Sequence, residues 1–124
     1  MNLPASPIPV GRHVDIAPVA GAPQRVHFHD VGRGPVVIFL HGAGGGASGY
    51  SNFKGNYPEF AAAGFRCIVL DLLGFGLSSK PDIPMYDLDF FVDGIKRLVD
   101  TLGLKGITLL GNSLGGAVSL GPAL

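Results

Sequence analysis

Leu109-Leu110-Gly111-Asn112-Ser113-Leu114-Gly115-Gly116 sets a serine between glycines, after the apolar run Ile107-Thr108-Leu109-Leu110 and before the helix-compatible Ala117-Val118-Ser119-Leu120. A strand that turns into a helix at a serine has the local form of a nucleophile elbow, and its flanking positions must be nearly bare for the backbone to fold back. Gly111 and Gly115 supply that bareness. Gly-x-Ser-x-Gly alone is a weak pattern; the strand in front and the helix behind make it specific. The alternative is an ordinary glycine-rich strand-to-helix turn.

Upstream, Pro35-Val36-Val37-Ile38-Phe39-Leu40 is a continuous apolar run, the mark of a strand covered on both faces. It opens into His41-Gly42-Ala43-Gly44-Gly45-Gly46-Ala47-Ser48-Gly49. Residues 50–63 fit a helix with Phe53, Tyr57 and Phe60 on its apolar face and a break or bend at Pro58. A second buried strand, Phe65 to Leu70, leads into the glycine-punctuated loop Asp71 to Pro81. From Leu88 to Leu102 the apolar residues Phe91, Ile95, Leu98, Val99 and Leu102 recur at helical spacing. Near the start, Val10 to Ile16 and Arg25 to Asp30 read as strands, the second alternating with period two. Strands alternating with helices predict an α/β fold with a mostly parallel, doubly covered sheet. Residues 1–25 form an N-terminal extension and first strand.

The chain has 124 residues, 47% of them hydrophobic, enough for one domain with a core. Its 20 glycines cluster at turns between apolar runs, so they frame structure rather than a linker. Nine basic residues balance nine acidic ones, which removes the electrostatic footprint of a nucleic-acid binder or a polybasic membrane-surface protein. Met1–Pro9 holds Pro4, Pro7 and Pro9 without a charged region leading into an apolar one, so neither a signal peptide nor a membrane span is expected. The single cysteine, Cys67, lies in an apolar run and reads as a core residue of a reducing compartment, with the cytoplasm as default. His27 and His29 share a strand face, but with no third ligand nearby they read as solvated strand residues rather than a metal pair. No metal and no cofactor is expected.

The glycine loop admits two functional readings. Gly42-x-Gly44-x-x-Ala47 fits a dinucleotide fingerprint, with Asp71 as the acidic residue ending the next strand, though at nearly thirty residues' distance rather than about twenty. Alternatively, the loop is an oxyanion hole, which needs backbone N–H groups aimed at a carbonyl oxygen and small residues that let the substrate lie against the main chain. His41-Gly42-Ala43-Gly44 meets that need, and the donors are the N–H groups of Ala43 and Leu114. This second reading explains loop and elbow together.

The ordered set His41-Gly42-Ala43-Gly44, Asp71-x-x-Gly74-x-Gly76-x-Ser78-x-x-Pro81 and Gly111-Asn112-Ser113-Leu114-Gly115-Gly116 resembles the N-terminal half of an α/β-hydrolase-fold enzyme, from about Val26 onward. Within that superfamily, the run His41 to Ala47, followed by Ser51-Asn52-Phe53 and with Asn112 before the serine, is similar to the meta-cleavage-product hydrolases. Those enzymes split a carbon–carbon bond in vinylogous 1,5-diketones; general esterases share much of the rest, and the family's loop commonly has proline where Gly45 stands. The resemblance implies Ser113 as nucleophile or water activator, Ala43 and Leu114 as oxyanion donors, and His41, Gly42, Gly44, Asn52 and Asn112 as substrate-side residues. It implies a small-molecule substrate and leaves a homo-oligomer open for the full-length protein.

A serine hydroxyl needs a base to take its proton and an acid to orient that base, in the order serine, acid, histidine in this fold. No Asp, Glu or His follows Ser113, and His13, His27, His29 and His41 all precede it. The reading is therefore of an N-terminal portion lacking the triad's acid and histidine, the cap and the C-terminal half. Three functions stand: a serine hydrolase completed by residues beyond 124, a dinucleotide-binding module, and a non-catalytic remnant.

Overall fold

A computed structural model describes residues 10–120. The opening Met1–Pro9 and the last four positions lie outside the described residues. Five strands form one mixed sheet in the order β1-β2-β4-β3-β5. They are β1 (Arg12–Val19), β2 (Ala22–Val31), β3 (Val36–Leu40), β4 (Arg66–Leu70) and β5 (Thr108–Gly111). β1, β2 and β4 pair antiparallel, whereas β4, β3 and β5 form the parallel part. The first strand runs further than its apolar signal, to Val19, because pairing with β2 through Val19↔Ala22 extends it past Pro18.

The apolar run at β3 is buried at all five positions, and its residues divide strictly by parity. Val36, Ile38 and Leu40 join Ile68 and Leu70 in the larger core, with Phe90, Phe91, Ile95 and Leu98 of the helix α3 (Leu88–Leu102). Val37 and Phe39 join Cys67 and Val69 on the opposite face, against Phe53 and Tyr57. Two faces that are both apolar can only be satisfied by helices on both sides. Phe53 and Tyr57 belong to two short helices, α1 (Gly49–Phe53) and α2 (Tyr57–Ala62), where the sequence suggested a single one. The interruption falls at Lys54-Gly55-Asn56, not at Pro58. Proline lacks only an N–H that a first turn leaves unpaired, so Pro58 is accommodated in the first turn of α2.

α3 spans the residues its periodicity indicates. The Asp87 side chain caps it by accepting from Phe90 N–H at 2.9 Å, and Gly103, at φ 64°, ends it in the left-handed conformation. Phe91, Ile95, Leu98 and Val99 are buried, and Leu102 packs partly buried at the core's margin.

The chain passes from β3 through α1 and α2 on one face to reach β4, and from β4 through α3 on the other face to reach β5. The winding thus reverses at β3, and the loops leaving β3 and β5 diverge at their carboxyl ends. In open α/β sheets that crevice is where ligands bind.

Candidate active site

The β3–β5 register pairs Leu40 with Gly111, so His41-Gly42 and Asn112-Ser113 leave the sheet side by side. Ser113 takes φ 56° and ψ −112°. Among the described residues only Ala20 also has a positive φ without being glycine. Such a conformation costs on the order of 1–3 kcal/mol and persists only where the surroundings over-determine it. Here Asn112 N–H donates to Leu40 O (3.0 Å), Gly115 N–H to Asn112 O (3.0 Å) and Ala117 N–H to Ser113 O (3.1 Å). The bare flanks are required: a Cβ on Gly111 would lie 2.3 Å from Gly115 O, and one on Gly115 would lie 1.9 Å from Leu40 O. Ser113 is exposed and its side chain caps nothing. Leu114 opens the helix α4 (Leu114–Ser119), where first-turn N–H groups have no intrahelical partner.

The glycine loop lies against this turn. A Cβ on Gly42 would lie 3.4 Å from Asn112 O and 3.5 Å from Ser113 Cβ. Asn52, on α1, closes the contact: its Oδ1 accepts from Gly42 N–H (3.0 Å) and from Asn112 Nδ2 (3.1 Å). The two asparagines singled out in the sequence, sixty residues apart, are therefore hydrogen-bonded partners, and Gly42 N–H is taken. Ala43 and Gly44 beyond it are exposed. They line a cavity of about 470 Å³ with Gly74, Phe75, Gly76 and Lys80 on its far side.

His41 is fully buried. Leu72 N–H donates to its Nε2 (2.9 Å), so that nitrogen carries no proton; Nδ1–H donates to Gly42 O (2.7 Å). Burial pushes its pKa below the ordinary histidine value, which keeps the ring neutral. With both nitrogens engaged, the ring braces the loop from beneath and has no atom to offer a substrate.

His27 and His29 do share a face, with ring centroids 5.1 Å apart, but both are buried rather than solvated. The strand face read as solvated is covered by Asp71 and Ser78 over His27 and by Tyr50 of α1 beside His29. His27 Nδ1–H donates to Asp71 Oδ2 at 2.9 Å. Asp71 also accepts from Gly49 N–H (2.9 Å) and Leu77 N–H (3.0 Å). A carboxylate so buried and tied to its own fold is turned away from any ribose hydroxyl over the glycine loop, which weighs against the dinucleotide reading. The His27–Asp71 pair had no local signal in the sequence, its members standing on separate elements 44 residues apart. Among the described residues, no three His, Cys, Asp or Glu side chains form a group able to hold a metal. Nor is any described helix long and apolar enough to cross a membrane.

Residues 35–121 match the family model described as the alpha/beta hydrolase fold, and the chain belongs to that family. The 2-hydroxy-6-oxo-6-phenylhexa-2,4-dienoate hydrolase of Burkholderia cepacia is 42% identical over 102 residues, 81% of this chain and 35% of that protein. The 2-hydroxymuconate semialdehyde hydrolase of Pseudomonas sp. (strain CF600) is 34% identical over all 124 residues, 42% of its own length. Among solved structures, a variant of the meta-cleavage product hydrolase from Pseudomonas fluorescens IP01 superposes with a TM-score of 0.73 at 33% identity, over 86% of this chain and 39% of that one. The chain thus spans roughly a third to two fifths of the length of these curated relatives.

Proposed function

We propose that this chain is the nucleophile-bearing part of a serine hydrolase that cleaves an ester or the carbon–carbon bond of a vinylogous 1,5-diketone. The observation that carries the reading is Ser113, exposed, held at a strained φ of 56° and set beside the Gly42 loop at the point where the sheet's winding reverses. Relatives named as hydrolases of 6-oxo-dienoates and of a semialdehyde support the second substrate class.

In this mechanism a small-molecule carbonyl lies over Gly42 and Gly44, with its oxygen facing the N–H groups of Ala43 and Leu114. Ser113 Oγ, or a water it activates, attacks the carbonyl carbon while the proton passes to a base. The C=O electron pair moves onto oxygen, where the two N–H donors stabilise the developing charge. The intermediate collapses with loss of the leaving group, which takes the proton back from the base. Where Ser113 itself attacked, a water then adds to the acyl–Ser113 ester with its proton passing to the same base. Collapse releases the carboxylic acid and returns the proton to Ser113 Oγ. Asn52 Nδ2 and Asn112 Oδ1, the amide atoms left over from their mutual bond, serve as polar contacts for the substrate. His41 contributes by holding the loop.

His41 is held through both ring nitrogens and His27 through Nδ1 on Asp71, so in this reading neither is the base for Ser113. Cys67 is buried, which raises its thiol pKa, and a lone unreactive thiol suits a reducing cytoplasm.

The test is Ser113→Ala in the full-length protein containing this chain. Turnover should fall by several orders of magnitude with the fold intact by circular dichroism, leaving a residual of roughly 10³–10⁴ over water. Activity within about tenfold of the parent would remove Ser113 from the chemistry.

A further inference from the structure

Asp71 is a buried carboxylate that the proposed chemistry does not use, yet more of the site hangs from it than from any residue facing the cleft. Its Oδ1 accepts from Gly49 N–H, and its Oδ2 from Leu77 N–H and His27 Nδ1–H. Its carbonyl accepts from Ser78 Oγ at 2.7 Å, and that same Oγ accepts from His27 N–H at 2.9 Å. The next residue, Leu72, supplies the N–H that holds His41. Residues 71 and 72 therefore fasten β2, α1, the Gly74–Ser78 loop and the His41 loop to the end of one strand.

The connection to the elbow runs through α1. Gly49 begins that helix and is tied to Asp71; Asn52, three residues on, holds Gly42 N–H and Asn112. The helix is only five residues long and is closed at its start by a reciprocal Ser48–Ser51 capping box. A Cβ on Gly49 would lie 2.4 Å from Leu70 O, so the helix start is pressed onto the end of β4. One on Gly76 would lie 2.3 Å from Asp71 Oδ2, so the opposite wall of the cleft rests on the same carboxylate. A short, capped helix pinned at one end transmits the position of Gly49 to Asn52.

We propose that Asp71, oriented by His27, is a positioning residue that sets the oxyanion loop through the linkage Asp71–Gly49–Asn52–Gly42. It touches no substrate. The proposal rests on the hydrolase reading for its catalytic consequence, but the linkage itself is measurable without turnover.

The experiment uses the full-length protein and follows amide hydrogen exchange at Gly42 together with kcat and KM for a neutral p-nitrophenyl ester. In Asp71→Asn one oxygen becomes an NH2 group facing N–H donors. Exchange at Gly42 should accelerate by about tenfold or more, and kcat should fall roughly 10- to 100-fold with little change in KM, as for a small misplacement remote from the chemistry. Asp30→Asn removes the carboxylate that pairs with both Nε and Nη2 of Arg66 on the same strand as His27. It should lower the melting temperature without moving Gly42 exchange or kcat. If Asp71→Asn fails to fold, His27→Leu and His27→Asn carry the same test: the leucine deletes the donor to Asp71, and the asparagine amide restores it and with it both readouts. A double variant with Asn52→Ala should lose hardly more activity than Asn52→Ala alone, since both act on one path. Unchanged Gly42 exchange in Asp71→Asn and His27→Leu overturns the linkage whatever Ser113 does. Faster exchange with undiminished kcat overturns the catalytic role given to Asp71, whereas absence of ester turnover in the parent counts against the hydrolase reading and leaves the exchange result to decide the linkage.

Discussion

In the proposed mechanism Ser113 and Ala43 stand on either side of the same requirement. One must present a hydroxyl at a backbone angle that side chains avoid, the other an N–H with nothing in front of it. Gly42 N–H is taken by Asn52, so Ala43 supplies the first uncommitted donor along the loop. Its methyl group has no part in this. Ala43→Gly should leave kcat of the full-length enzyme nearly unchanged, whereas Ala43→Pro deletes the donor and should cost on the order of 3–4 kcal/mol of transition-state stabilisation. Steady-state kinetics on a folded proline variant checks this, and parental kcat there would exclude the oxyanion role. At this scale the sequence was legible wherever a chemical requirement is local. Gly111, Ser113 and Gly115 lie within five residues, and the collisions that forbid a Cβ at either glycine confirm why that spacing holds.

Elements were read well where one periodicity governs a long run, as in α3, and less well where short pieces meet. The split between α1 and α2 depends on where a turn packs against β4, which no local pattern encodes. The seat of α4 on β3 is equally a matter of contact between elements, and here glycine decides. Gly115→Ala would drive a methyl group into the Leu40 carbonyl, so it should destabilise by at least about 1–3 kcal/mol, the usual cost of overpacking. Gly45→Ala meets nothing within 4 Å and has an unexceptional φ, so it should stay within about 0.5 kcal/mol of the parent. Urea denaturation of both variants gives the comparison; equal losses would mean that Gly115 is not pressed against the Leu40 carbonyl.

For the whole molecule, the buried His41 couples stability to pH. Its folded pKa lies below the unfolded value of 6.5, so below about pH 6.5 the unfolded chain binds a proton that the folded chain refuses. The contribution is fully present above that pH and is lost as pH falls toward the folded pKa. Replacing His41 by leucine should lower stability at neutral pH, through the orphaned Leu72 N–H, yet flatten the acid-side decline below about pH 6.5 relative to the parent. An unchanged slope in pH-resolved thermal denaturation would exclude this assignment. The 124 residues expressed alone should not hydrolyse p-nitrophenyl esters or label with a fluorophosphonate, because no described base reaches Ser113. They should also self-associate. β5 forms the edge of the described sheet with Leu109 and Leu110 only partly buried, and an open apolar edge recruits other strands. A labelled, monodisperse monomer in size-exclusion chromatography would contradict both expectations.

The sequence by itself determined the α/β architecture, the doubly buried β3 and β4, the span of α3 and the serine elbow. Each is written in a periodicity or a glycine spacing that acts over a few residues. Only the tertiary structure decided which polar groups meet. Asn52 bonds to Asn112 because α1 is folded back over the end of β3, and His41 is neutral and committed because Leu72, thirty-one residues on, comes to its Nε2. His27, which alternation alone leaves as a surface residue, is buried on Asp71 because the loop after β4 closes over it. Hydrogen-bond partners across a fold are set by where its elements come to rest, and that placement is a property of the packed sheet and helices together, not of any one stretch of chain.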